Sequence, residues 1–195
     1  MTSQGEFIRA ICTALEQAAI PYMIGGSVAS SIHGPHRSTN DVDIVIAPTP
    51  AQLDQFLGAV SDYYVSRPAA LAAFQRRSMF NVIDAPSGHK ADLIFLKQRT
   101  YSATELNRRT RVAFAGQEIY VASPEDVILS KLEWSKMGES DRQFRDAANV
   151  ALTKWHSLDF TYLEKWAVEL DVVEGLNELK RQVRTVLPES RHPEP

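Results

Sequence analysis

Cysteine is nearly absent: Cys12 is the single one in 195 residues. That excludes an intramolecular disulfide, argues against a cysteine-ligated zinc site, and fits a reducing, cytoplasmic location. Long apolar runs are missing too. No stretch approaches the ~20 residues needed to span a bilayer, so no membrane partner is expected. The first residues, MTSQGEFIRA, lack a basic region leading into an apolar core and do not read as a secretory signal. There is no excess of basic charge: 21 Lys and Arg stand against 24 Asp and Glu, for a net charge of −3 and a pI near 6.0. A global basic field for tight nucleic-acid binding is therefore excluded, although Arg76-Arg77 and Arg108-Arg109-Arg111 form local clusters. Such clusters are most often solvated faces, with RNA contact as the rarer reading. No repeat or low-complexity tract occurs. What is present is a hydrophobic fraction of 44%, enough to bury a core as one domain or as a domain with a small appendage.

The apolar spacing of Phe7, Ile8, Ile11, Leu15 and Ala18 predicts a helix over about 5–19, stopped by Pro21. Short apolar segments predict strands at Tyr22–Ile24, Val42–Ile46, Tyr63–Ser66, Met79–Asp84 and Ala91–Leu96, with a turn at Ala85-Pro86-Ser87-Gly88. Helices are expected at Gly26–His33, Thr49–Val60 and Pro68–Arg77, the second with Thr49 as N-cap and Pro50 at its first position. A hairpin across Gly116-Gln117 joins Arg111–Ala115 to Glu118–Val121. Past Ser123-Pro124 the composition becomes helical. Ile128, Leu129, Leu132 and Trp134 supply apolar positions up to about Met137, and further helices follow at about Ser140–Thr153, Asp159–Leu170 and Val172–Val186. Trp134, Trp155 and Trp166 are expected in the core of that bundle, and Cys12 on the buried side of the first helix. The expected organisation is an α+β core over 1–122, a helical region over 123–187, and a Pro-rich, charged, disordered tail over 188–195.

The chemistry concentrates in Pro21–Ile46. A strand runs into Gly25-Gly26-Ser27 at a helix start, a turn that suits phosphate. Side chains alternate across a strand, so Asp41 and Asp43 share one face, roughly 7 Å apart. Paired carboxylates suit a divalent cation. Asp92, a lone acid in the apolar strand Lys90-Ala91-Asp92-Leu93-Ile94-Phe95, is the third candidate, because a charge there is costly unless paired or metal-bound. Asp84 competes with it but sits before Pro86 in a turn. His33 and His36 flank Gly34-Pro35 without a third ligand and read as a loop.

Gly25-Gly26-Ser27, the run Arg37-Ser38-Thr39-Asn40-Asp41-Val42-Asp43 and the distant Asp92 together resemble the nucleotidyltransferase superfamily of the DNA polymerase β type. Within it the chain is most similar to AbiEii-like and related minimal nucleotidyltransferases, which share a later Ser-Pro-Glu-Asp helix with a lysine (here Ser123-Pro124-Glu125-Asp126 to Lys131) and an Arg-x-x-Asp element (Arg142 and Arg145-Asp146). The resemblance covers roughly residues 20–150 and specifies the fold and the metal site, not the substrate. It implies a mixed sheet flanked by helices, followed by a helical bundle. It implies that Asp41, Asp43 and Asp92 hold Mg²⁺ or Mn²⁺, with Asp92 helping to deprotonate the acceptor. Gly25, Gly26, Ser27, Arg37 and Lys131 would then bind the NTP, with Asp146 and Arg142 orienting Lys131 or closing the cleft.

The implied activity is transfer of an NMP from an NTP to a hydroxyl or phosphate, with release of pyrophosphate. The family includes toxins of toxin–antitoxin pairs, antibiotic-modifying enzymes and RNA-modifying enzymes. The acceptor therefore stands open between tRNA, protein and a small molecule, and an antitoxin is a candidate partner. A module that binds nucleotide or a partner without turnover is the third reading.

Overall fold

The computed structural model of the chain describes residues 2–138 and 140–187. The tail expected to be disordered lies outside the described residues. Two compact units form: residues up to Ala29 with Arg37–Ser123, and Ser30–His36 with residues from Pro124 onward.

In the first unit, α1 (Gln4–Gln17) opens with a capping box, the Ser3 hydroxyl accepting from the Glu6 N–H and the Glu6 carboxylate accepting from the Ser3 N–H at 2.8 Å. Its apolar stripe of Phe7, Ile8, Ile11, Cys12 and Leu15 is fully buried. There follow β1 (Tyr22–Ile24), α2 (Gly26–His33, whose residues from Ser30 on fall in the second unit), β2 (Asp41–Ile46), α3 (Pro50–Ala59), β3 (Tyr64–Val65), α4 (Arg67–Arg76), β4 (Met79–Asp84), β5 (His89–Phe95), α5 (Thr100–Arg108), β6 (Thr110–Phe114) and β7 (Gln117–Val121). Thr49 caps α3 as expected, and Gln52 completes a capping box with it. The sequence pattern does not announce α5. Its buried residues are Tyr101, Ser102, Glu105 and Leu106, half of them polar, so apolar periodicity does not report it.

The strands form one mixed seven-stranded sheet in the order β3-β4-β5-β2-β1-β7-β6. Strands β2 and β5 are parallel, with Asp41 opposite Lys90 and Asp43 opposite Asp92. Antiparallel β4 places Asn81 opposite Asp92. Alternation then assigns the two faces. Val42, Ile44 and Ile46 lie with Ala91, Leu93 and Phe95, and with Phe80 and Val82, on a face that is almost wholly buried. Phe56 of α3 edges onto Phe80 (centroids 6.5 Å), and Phe74 of α4 onto Phe95 (5.6 Å), so aromatic contacts tie these helices to that face. The polar residues Asp41, Asp43, Lys90, Asp92 and Asn81 lie on the other face. The β6–β7 hairpin turns through Ala115 and Gly116, both at positive φ, one residue earlier than expected.

The second unit contains α6 (Pro124–Gly138), α7 (Asp141–Lys154), a 3-10 turn (Trp155–Ser157), α8 (Phe160–Glu169) and α9 (Val173–Val186). Glu125 and Asp126, in the first turn of α6, are buried and tie it to α8: the Glu125 carboxylate accepts from the Asp159 N–H at 3.0 Å, and Asp126 from the Tyr162 hydroxyl at 2.6 Å. Trp166 is core, and Trp155 is half-buried with its ring 4.8 Å from Phe160. Trp134 corrects the expectation, being 55% exposed. Two residues beyond Leu132 on a helix is about 200° of rotation, which points Trp134 away from the buried Ile128–Leu129–Leu132 side.

Burial pushes the Cys12 thiol up to about 12, with Glu16 adding to the shift and a hydrogen bond with Tyr22 opposing it. Iodoacetamide at about pH 8 should therefore leave Cys12 unmodified in the native protein and label it fully in urea; mass spectrometry reads both. Tyr162→Phe removes one donor to buried Asp126 and should lower unfolding stability by ~0.5–1.5 kcal/mol in a urea titration.

Candidate functional site

Three loops and strands of the first unit converge on the polar sheet face. Strand β1 ends at Gly25, whose N–H donates to the Asp43 carbonyl at 2.9 Å. The next residue, Gly26, starts α2 at φ +56°. A Cβ built there would fall 1.8 Å from Asp43 Oδ2, so both the backbone conformation and the proximity of the carboxylate require glycine at this position. Gly25 carries no such demand, since nothing lies within 4 Å of a Cβ there. Arg37 donates from Nη2 to Ser27 Oγ at 2.6 Å, which brings the basic turn before β2 to the glycine turn. The Thr39 hydroxyl accepts from the Asp41 N–H at 3.3 Å, fixing the entry to the acid strand.

The three sequence-predicted acids share the polar face. Asp43 and Asp92 are direct cross-strand partners, and Asp41 stands two residues before Asp43. Asp92 is almost buried, and Asn81 donates to its Oδ1. Its Oδ2 faces the Lys90 ammonium at 3.2 Å, and the same ammonium lies 3.5 Å from Asp41 Oδ2. Burial would lower the Lys90 pKa, but the hydrogen bond to and charge of Asp92, reinforced by Asp41, raise it above the usual lysine value.

Asp84 is separated from this group. It shares the buried face with Phe80 and Val82, and the Ser87 hydroxyl donates to it at 2.5 Å across the β4–β5 turn. It is a turn residue, and Asp92 is the acid that joins the pair on β2.

These features can be set beside known proteins. No family model matches the chain, and no curated protein does. Solved structures do match. A nucleotidyltransferase-like antigenic protein from Paracoccidioides brasiliensis aligns at TM-score 0.64 and 18% identity over 94% of this chain and 89% of that one. The antibiotic-resistance factor ANT(2'')-Ia in solution aligns at TM-score 0.58 and 14% identity over 92% and 97%. Its crystal structure in complex with adenylyl-2''-tobramycin aligns at TM-score 0.56 and 14% identity over 86% and 97%. The chain adopts the nucleotidyltransferase fold.

The expected α+β class, with a mixed sheet flanked by helices and helices at the C-terminal end, is what this nucleotidyltransferase fold contains. Lys131 belongs to the second unit, where its ammonium donates to Gln143 Oε1 at 2.8 Å and pairs with Asp146 Oδ2 at 3.1 Å. Asp146 is therefore in contact with Lys131, the residue that the resemblance has it orient. Arg142 is exposed, and its neighbour Gln143 supplies the second contact, because one step along α7 turns a side chain by about 100°. Among the basic clusters, Arg109 and Arg111 stack over Tyr120 at 4.6 and 4.9 Å, and exposed Arg77 stacks over Phe74 at 5.5 Å.

Two polar residues of this face were missed by the sequence reading. Lys90 carried a signal: two residues before Asp92 on one strand, it shares that face by alternation. Asn81 carried none, since only cross-strand register brings it to Asp92.

Among the described residues, no three of His, Cys, Asp and Glu stand together as a preformed metal cluster. The donor set nevertheless fits a hard divalent cation in kind. It offers three carboxylates on one sheet face, and positive charge is already drawn between two of them.

Gly26→Ala places a methyl group on the Asp43 carboxylate at a left-handed position. It should cost at least ~1–2 kcal/mol of stability, read as a lowered Tm, whereas Gly25→Ala should be milder.

Proposed function

We propose that the chain is a Mg²⁺-dependent nucleotidyltransferase (Mn²⁺ accepts the same ligands), which moves an NMP from an NTP to a hydroxyl or phosphate acceptor and releases pyrophosphate. The observation that carries this reading is the cross-strand pair Asp43–Asp92, with Asp41 on the same face, beside the glycine turn at Gly26.

Asp41, Asp43 and Asp92 are the residues that would hold the metal. A divalent cation so held supplies charge neutralisation at the phosphates and makes the acceptor hydroxyl easier to deprotonate. The chain's own groups do the rest. The Gly25-Gly26 backbone lets phosphate approach the start of α2, whose N–H groups and dipole favour an anion, and Ser27 adds a hydroxyl donor. Arg37, held against Ser27, brings a guanidinium suited to phosphate oxygens. Asp92 accepts the proton of the attacking hydroxyl, and Asn81 holds its carboxylate in orientation. Lys131 enters this reading from the sequence resemblance, as a further phosphate-binding cation. Most of the rate enhancement would come from positioning and electrostatics.

The acceptor group is carried by tRNA, by protein or by a small molecule, and a toxin role with an antitoxin partner belongs to the first two. A small cationic molecule is the second reading, supported by the likeness of fold to ANT(2'')-Ia, whose crystal structure holds adenylyl-2''-tobramycin.

A transfer screen with each α-³²P-NTP and Mg²⁺, against total tRNA, lysate protein and aminoglycosides, tests all three. Label should enter one pool and vanish with EDTA. Asp41→Ala with Asp43→Ala should reduce transfer at least ~100-fold at an unchanged fold by circular dichroism. Full transfer by that folded double variant would overturn the assignment. NTP binding without label in any pool would favour the non-catalytic binding module.

A further inference from the structure

Lys90 has no part in the reaction as derived so far, yet its ammonium lies within 3.5 Å of two of the three acids. It stands opposite Asp41 in the β2–β5 register and two residues before Asp92, so all three side chains share one face. Its ammonium lies between the two carboxylates, at 3.2 Å from Asp92 Oδ2 and 3.5 Å from Asp41 Oδ2. Asn81 already occupies the other Asp92 oxygen. The Asp92 side chain is 12% exposed and that of Lys90 32%, so the ammonium caps a nearly buried carboxylate from the open side of the sheet.

We infer that Lys90 is a resident stand-in cation: it neutralises Asp41 and Asp92 when no divalent ion is bound and is displaced outward when one enters. The inference rests on the reading of these acids as metal ligands.

Three physical points carry it. Like charges on neighbouring strands repel, so a face holding Asp41, Asp43 and Asp92 needs positive charge to fold stably in the absence of metal. A dication drawn to the same oxygens would repel an ammonium within a few ångströms, so the two compete for one position. A lysine ammonium rides on a flexible four-carbon stem, and both Lys90 and the 52%-exposed Asp41 side chain open toward solvent, which gives the displaced group somewhere to go. The consequence is that metal entry is opposed until something compensates the displaced charge, and an arriving triphosphate supplies that charge. Metal and nucleotide would then bind together rather than in sequence.

The test uses Mn²⁺ alone, without nucleotide. Metal-free wild type, Lys90→Met and Asp92→Asn are titrated with Mn²⁺ by calorimetry and melted in EDTA and in saturating Mn²⁺. Lys90→Met should bind Mn²⁺ ~10-fold tighter than wild type. It should also melt below wild type in EDTA, with the gap closing in Mn²⁺. Asp92→Asn should bind weakly. Lys90→Gln serves in the same roles should the methionine variant fail to fold. Equal or weaker Mn²⁺ affinity in the variant, with an unchanged melting gap, overturns the inference and leaves the metal site standing. Absence of Mn²⁺ binding to Lys90→Met overturns the inference, and absence of Mn²⁺ binding to wild type with a nucleoside triphosphate also present overturns the metal reading with it.

Discussion

Parallel pairing of β2 with β5 is the constraint on which the rest depends. Each strand carries a bulky apolar set on one side and acids on the other, and a single register places Asp43 against Asp92. A slip of one residue would send Asp92 into the face packed by Phe56, Phe74, Phe80 and Phe95, and Leu93 out onto the polar one. Burial of the hydrophobic face therefore enforces the alignment of the acids, and no separate device is needed to gather them.

Assembling three carboxylates in this way is electrostatically unfavourable, and the structure answers with local compensation. Asn81 orients one Asp92 oxygen, and the Lys90 ammonium caps the other together with Asp41. On the opposite side of Asp43 the chain leaves no room for a side chain: Gly26 passes so close that its missing Cβ is part of the geometry. The resulting shape is an acidic floor beside a glycine turn, with Arg37 tethered to Ser27 at the edge. The second unit meets the same problem differently. Glu125, Asp126 and Lys131 are buried on α6, and each has a hydrogen-bonding partner on α7 or α8 or in the turn before α8, so its polar residues hold helices together.

Much of the first unit was legible because the signals were local. Thr49-Pro50 announces a capped helix start, strict alternation puts Asp41 and Asp43 on one face, and Gly25-Gly26-Ser27 marks a strand-to-helix turn. Each depends on residues a few positions apart. The misreading was one of orientation: Trp134 is apolar but lies on the outer side of α6. Helix α5 escaped notice because it buries a serine and a glutamate beside its apolar residues.

By itself the sequence determined the elements other than α5, the spacing of the acids on β2, the candidate Asp92 and the family resemblance, since backbone preference and alternation act over a few residues. Only the tertiary structure decided that Asp92 rather than Asp84 joins the β2 pair, that Asn81 and Lys90 engage its two oxygens, that Gly26 rather than Gly25 is sterically required, and that Ser30–His36 clusters with the C-terminal helices. The reason is physical. Cross-strand register and helix packing are set by which apolar surfaces bury one another, and those contacts join residues tens of positions apart, which no local pattern encodes.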